Sequence, residues 1–356
     1  MKRSVPGFLK VAAVIVGTVI GAGFASGQEV MRFFTGYGAK GLGSMILSGL
    51  LFMWICYRVF LGKGKDYKAY LRTLMPGWAA AGVEGVTVLF MLFTYGAMLS
   101  GSGALMQQEW GWNFYAGLLA MAAVTMAVFL GGKKGLVWLN TILVPVLIVM
   151  LVWICLAGIS RGTLPSAYLQ TAPLSIDYST LPSLRFLWDG ILYTSYNLLT
   201  LIPVLCTLRA GITDQKKALA AAVAGGGTLL GLSLILGLAS LTNYDTMKGM
   251  EIPIFALLDA GRLQNLLCCL VLLGAMLTTA VSDGYICIRY LEERGLVHQA
   301  SIFTVAGLGC GIGSLGFSSL VGKVYPFFGF LGLGLLLAIG LRRISGRQER
   351  EKEQFR

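Results

Sequence analysis

Apolar residues in this chain fall into ten blocks, each near the ~20 residues that a helix needs to cross a bilayer, parted by short polar stretches. They run about 8–35, 41–61, 78–107, 113–131, 135–160, 184–208, 216–242, 264–290, 298–316 and 319–342. This pattern predicts an all-α polytopic membrane protein with ten transmembrane helices. The first block is interrupted by GTVIGAGFASGQE, residues 17–29, with four glycines and several small polar side chains where a helix should be crossing. In hydrocarbon every peptide N–H and C=O needs a partner, so unwound backbone survives only against protein or a water-filled cavity. That stretch is the first candidate for a ligand site.

Charge sets the orientation. An even number of spans puts both termini on one side. Alternate assignment of the loops then gives that side 21 of the 28 basic residues and leaves seven on the other. The positive-inside rule makes the terminal side cytoplasmic and predicts a multi-pass protein of the cell membrane. The formal charge of +12 sits in short loops, where anionic lipid and insertion topology explain it without nucleic acid. A signal peptide is not expected, because the apolar pattern runs on through Phe33 and Phe34 into further spans. All seven cysteines fall in apolar blocks without a CxxC pair, so they read as small packing residues. No HExxH, GxSxG or Walker sequence is present, which argues against an enzyme and against direct drive by ATP.

The longest polar connection, 161–183, carries Pro165, Pro173 and Pro182 and divides the spans into five and five. The predicted units are 8–160, 184–342 and a basic tail, 343–356. Five is odd, so the second set enters the membrane inverted, and unusual features should recur at matching places. Span one is broken at Gly21–Gly27. Span six carries Thr194, Ser195 and Asn197 ahead of Pro203, and a break is expected there too. Residues 63–77 and 251–264 lie between the second and third span of each half, and each reads as an amphipathic surface helix.

Two inverted five-span repeats with discontinuous first helices resemble the amino acid–polyamine–cation superfamily of transporters and its LeuT fold. GTVIGAGFASGQE looks most like the YkvI family of bacterial membrane proteins. The resemblance implies a secondary transporter of an amino acid or similar small amphoteric solute, coupled to sodium or to protons. It places the substrate at the main chain of Gly21, Ala22 and Gly23, at the Tyr95 hydroxyl, and at Tyr193, Thr194, Ser195 and Asn197 of span six. A sodium ion would lie between the carbonyls of Gly17, Ile20 and Ala275 and the hydroxyls of Thr278 and Thr279. Span five contains no basic residue to stand in for that ion. A ligand sensor of the same architecture, as in spore germinant receptors, is the alternative to transport.

Bland readings stand beside several of these. The glycines also suit close helix packing through the pairs Gly17 with Gly21 and Gly23 with Gly27. Threonines in a span can bond back to their own helix, Tyr95 reads equally as a tyrosine packed between helices, and the pair Tyr193 with Tyr196 reads more often as packing. Asp283 either lines the cavity as a protonatable group or reaches toward Arg289 at the surface. Glu29 and Glu84 either line a vestibule or pair with a base such as Arg32.

Overall fold

The computed structural model describes residues 7–131, 136–163, 184–209, 212, 214–258 and 261–342. The proline-rich connection from 164 onward and the tail from 343 lie outside the described residues. The apolar blocks appear as helices: Lys40–Phe60, Gly77–Trp110, Phe114–Gly131, Leu136–Arg161, Arg185–Leu208, Gln215–Thr242, Arg262–Glu292, His298–Gly313 and, after a short irregular start at Phe317, Tyr325–Leu341. Among the described residues eight helical segments are long and apolar enough to cross a membrane. The broken first span and the 16-residue helix His298–Gly313 take the two remaining places.

Helix partners follow the inverted repeat. Span two packs on span seven, one on six, three on eight and four on nine. The contacts one–seven and two–six form an exchange pair, as do three–nine and four–eight. Replacing each span by its counterpart five places along reproduces most of these neighbours, as a pseudo-two-fold arrangement requires, but the extensive packing of six on ten has no equal between one and five.

Span one is discontinuous, as expected. Its first helix, Gly7–Val19, ends in a bend at Ile20 and Gly21; a turn at Ala22–Ala25 and a short helix at Gln28–Phe33 complete the crossing. Gly27 joins these last two at φ 85°, a left-handed conformation that glycine adopts without a Cβ penalty.

Span six corrects the expectation of a second break, for Arg185–Leu208 is one continuous helix with Pro203 inside it. Its polar side chains are satisfied locally. Thr194 Oγ1 donates to Gly190 O at 3.1 Å, Ser195 Oγ to Ile191 O at 2.8 Å and Asn197 Nδ2 to Tyr193 O at 2.9 Å. Side chains bonded one turn back leave no reason to unwind, and the proline removes a single N–H.

The two connecting segments also differ from each other. Residues 63–77 contain the expected helix, Tyr67–Leu74, started by Asp66, whose carboxylate accepts the Ala69 N–H at 2.7 Å. Residues 251–264 do not form a surface helix. Pro253–Leu257 make a tight 3-10 turn with Pro253, Ile254, Phe255 and Leu257 all buried. A segment apolar all round has no polar face to float at an interface, so it plugs into the bundle. Ile254 N–H donates to Ser26 O at 2.9 Å, and the Gln108 amide brackets the peptide of Ile252 on both sides.

Candidate functional site: a cavity at the broken span

Where the first helix stops, its hydrogen-bond ladder stops with it. Ile20 N–H reaches Val16 O, Gly21 N–H turns back onto Val19 O, and the next bond across is Ala25 N–H to Gly21 O. The carbonyls of Gly17, Thr18 and Ile20 and the N–H groups of Ala22, Gly23 and Phe24 are therefore left out of the ladder. All of these residues but Phe24 line a cavity of about 320 Å³, walled by spans one, three, five, six, eight and ten. Its volume suits a small solute.

Gly17, Ile20, Gly21, Ala22, Gly23, Glu29, Asn197, Ala275, Thr278, Thr279 and Asp283 all line this cavity. Thr278 Oγ1 donates to Ala275 O at 3.1 Å, in the back-bonded manner of a helix threonine. A Cβ built on Gly21 would stand 3.9 Å from Thr279 Oγ1, so that hydroxyl faces the break directly. Carbonyl and hydroxyl oxygens of this kind suit a hard cation. Asp283 is 8% exposed and accepts Thr94 Oγ1 at 2.5 Å; Thr94 is its partner, and Arg289 is not.

Other expected contacts are placed elsewhere, and each has a packing reason. Tyr95 turns away from the cavity: its hydroxyl pairs with Thr125 Oγ1 at 2.9 Å and its ring fills the space over Gly309. Tyr193 is buried among Phe33, Phe34 and Phe52. Thr194 bonds within its own helix, and the Ser195 backbone lies against Gly332 of span ten. Glu84 pairs with Lys68 at 3.0 Å and lines a separate cavity of about 190 Å³. Lys68, between Glu84 and Glu293, is held above the ordinary lysine range by those carboxylates. Arg32 does not serve Glu29; its partner is Asp189.

Asp189, Thr94 and Tyr325 are functional candidates that the linear pattern did not bring forward, and Tyr196 entered it only as a packing partner of Tyr193. Asp189 carried a readable signal, since an acid inside a span is expensive unless paired. It accepts Arg32 Nη1 at 3.0 Å and the Tyr37 hydroxyl at 2.6 Å, joining spans one and six. Arg32 Nε continues to Gly322 O at 3.0 Å. Gln28 bonds Ser318 Oγ, whose N–H donates to Glu251 Oε2 at 3.0 Å. Beneath this polar latch Phe33, Phe34, Phe90, Tyr193, Tyr196, Tyr325 and Phe328 form a layer with ring centroids 4.9–5.7 Å apart. Together they close the cavity on the side away from the termini. Its lining extends the other way, through Val14, Thr200, Val204 and Ile286.

No family model matches the chain. It is 27% identical to the uncharacterized protein YyaD of Bacillus subtilis (strain 168) over 95% of this chain and 98% of that one. It is also 26% identical to the uncharacterized membrane protein YkvI of the same strain, over 98% and 99%. Among solved structures, MhsT in complex with L-phenylalanine aligns with a TM-score of 0.65 at 19% identity, covering 95% of this chain and 88% of that one. Mhp1, a nucleobase-cation-symport-1 family transporter with bromovinylhydantoin bound, aligns with a TM-score of 0.62 at 14% identity, over 95% and 78%. The chain is a multi-pass, all-helical membrane protein, and its fold is that of the LeuT-like transporters.

Proposed function

We propose that this protein is a secondary active transporter that takes up an amino acid or a similar small amphoteric solute by alternating access, coupled to sodium or to protons. The observation that carries the reading is the broken span one, whose free main-chain groups face the Thr279 hydroxyl across a cavity closed on one side. Unwound backbone in a membrane is tolerated where it lines such a cavity. The sodium set is Gly17, Ile20, Ala275, Thr278 and Thr279, and the substrate lies at Gly21–Gly23 with Asn197 and Tyr196. Likeness of fold to MhsT, which holds L-phenylalanine, and to the transporter Mhp1, which holds a hydantoin, supports a small-molecule substrate.

Full-length similarity to YkvI supports kinship with that family. With the termini cytoplasmic in the cell membrane, as the basic loops favour, the cavity leads inward and the aromatic lid seals the outside. Spans one, two, six and seven pack as one set and move against spans three, four, eight and nine, the two sets being the halves of the inverted units 8–160 and 184–342 combined.

A thermal-shift screen of amino acids with and without sodium tests the reading. A ligand at a hundredfold its Kd stabilises the folded state by about 2.7 kcal/mol. The stabilisation should rise with sodium in the parent protein and lose that dependence in Thr278→Ala and Thr279→Ala. Sodium-dependent binding unchanged in both variants overturns the ion assignment.

A further inference from the structure

Glu29 stands where the lid meets the cavity, and no cation among the described residues pairs with it. The residue is 6% exposed; Oε2 is fully occluded and has no hydrogen-bond partner. The Tyr196 hydroxyl lies against the carboxylate without completing a hydrogen bond of its own. Span six presents Tyr193 and Tyr196 to it and span ten presents Tyr325. Span seven has no titratable residue between Ala218 and Leu241. On neighbouring turns, Arg32 and Tyr37 both bond Asp189, while Lys323 is exposed at the surface. The other acid of the cavity, Asp283 on span eight, is bonded by Thr94 and supplies no positive charge.

Glycine chemistry fits the carboxylate to this place. A Cβ on Gly23 would occupy the position of Glu29 Oε1, so the break in span one leaves room for the acid as well as for a ligand. A carboxylate withdrawn from water beside a single phenol, with one oxygen unpartnered and no cation, is disfavoured by several kcal/mol. The same group in neutral form is tolerated there. We infer that Glu29 is a proton-binding site that ties closure of the lid to proton uptake. With the lid open, water reaches the carboxylate; a proton from that side adds to a carboxylate oxygen, and the neutral acid then allows the aromatic layer to close. Glu29 also lines the cavity, so the proton leaves to water on the terminal side. This use of the proton rests on the transporter reading and makes it a coupling ion, whereas the neutral acid under a closed lid does not depend on flux.

The test uses the full chain. Infrared spectra near neutral pH should show the carbonyl stretch of a protonated, poorly hydrogen-bonded carboxylic acid in the parent protein. The band should vanish in Glu29→Gln and persist in Asp283→Asn and Glu29→Asp. Spin labels at exposed Trp112 and Lys248 report the lid: raising the pH should lengthen their separation in the parent, while Glu29→Gln stays short at every pH. Identical spectra for the parent and Glu29→Gln, or the same pH response in both, would overturn the inference. In proteoliposomes, Glu29→Gln should lose accumulation of a labelled amino-acid mixture driven by a pH gradient. Accumulation retained in that variant also counts against Glu29. Absence of counterflow in the parent strikes the transporter reading and leaves the infrared result to decide the proton site.

Discussion

Single residues show how finely the break is fitted. Gly23 has the Glu29 carboxylate where its side chain would be, whereas Gly231, inside the helix Gln215–Thr242, has nothing within 4 Å. Gly23→Ala should therefore destabilise by about 1–3 kcal/mol through overpacking and abolish ligand-induced stabilisation. Gly231→Ala should gain up to about 1 kcal/mol from helix propensity. Melting temperatures in detergent, with and without ligand, compare the two. Both residues look alike in the linear pattern, as small apolar positions within a span. Residue type located the break at 17–29, but the rotation of each helix was not legible. Tyr95 sits in a span with no polar face to fix its phase, and it proved to face Thr125. On span six Asn197 and Tyr196 meet the cavity while Thr194 and Ser195 do not. That distinction depends on which face span ten covers.

At the level of elements, the ends of the spans were legible to within a few residues, because hydropathy and helix caps act locally. Continuity was not. A run of Thr, Ser and Asn before a proline reads as a break, but hydroxyl and amide groups bonded to carbonyls one turn earlier let the helix of span six continue. Pairing across elements was equally hidden, since Arg32 and Asp189 are 157 positions apart. Asp189→Asn should loosen the lid. Breaking a largely buried ion pair from one side costs about 3–5 kcal/mol, and the spin-label distance between Trp112 and Lys248 should lengthen. On the opposite side, Lys68 joins helix Tyr67–Leu74 to Glu84 and Glu293. Its folded-state pKa is raised, so the contribution is complete below the ordinary value of 10.5 and is lost as pH climbs through the folded value. The melting difference between the parent and Lys68→Met should be constant from neutral pH up to that value and shrink above it.

For the molecule as a whole, parity predicts the repeat: five spans, a long connection and five more force the second half upside down, and most of the helix contacts exchange accordingly. Two elements at matching places need not be alike. One connecting segment is a capped surface helix, while the other is a buried turn that closes over Ser26. The repeat fixes the frame, and local apolarity decides what each insertion becomes. A frame of this kind, with one side latched by Asp189 and roofed by aromatic rings, makes sense for a carrier whose lids open in turn. Counterflow in proteoliposomes loaded with unlabelled amino acids tests that claim most directly. The account predicts that external label enters and exchanges, and that Gly23→Ala abolishes the exchange. Binding seen in the thermal shift, with no label crossing the bilayer, would contradict it.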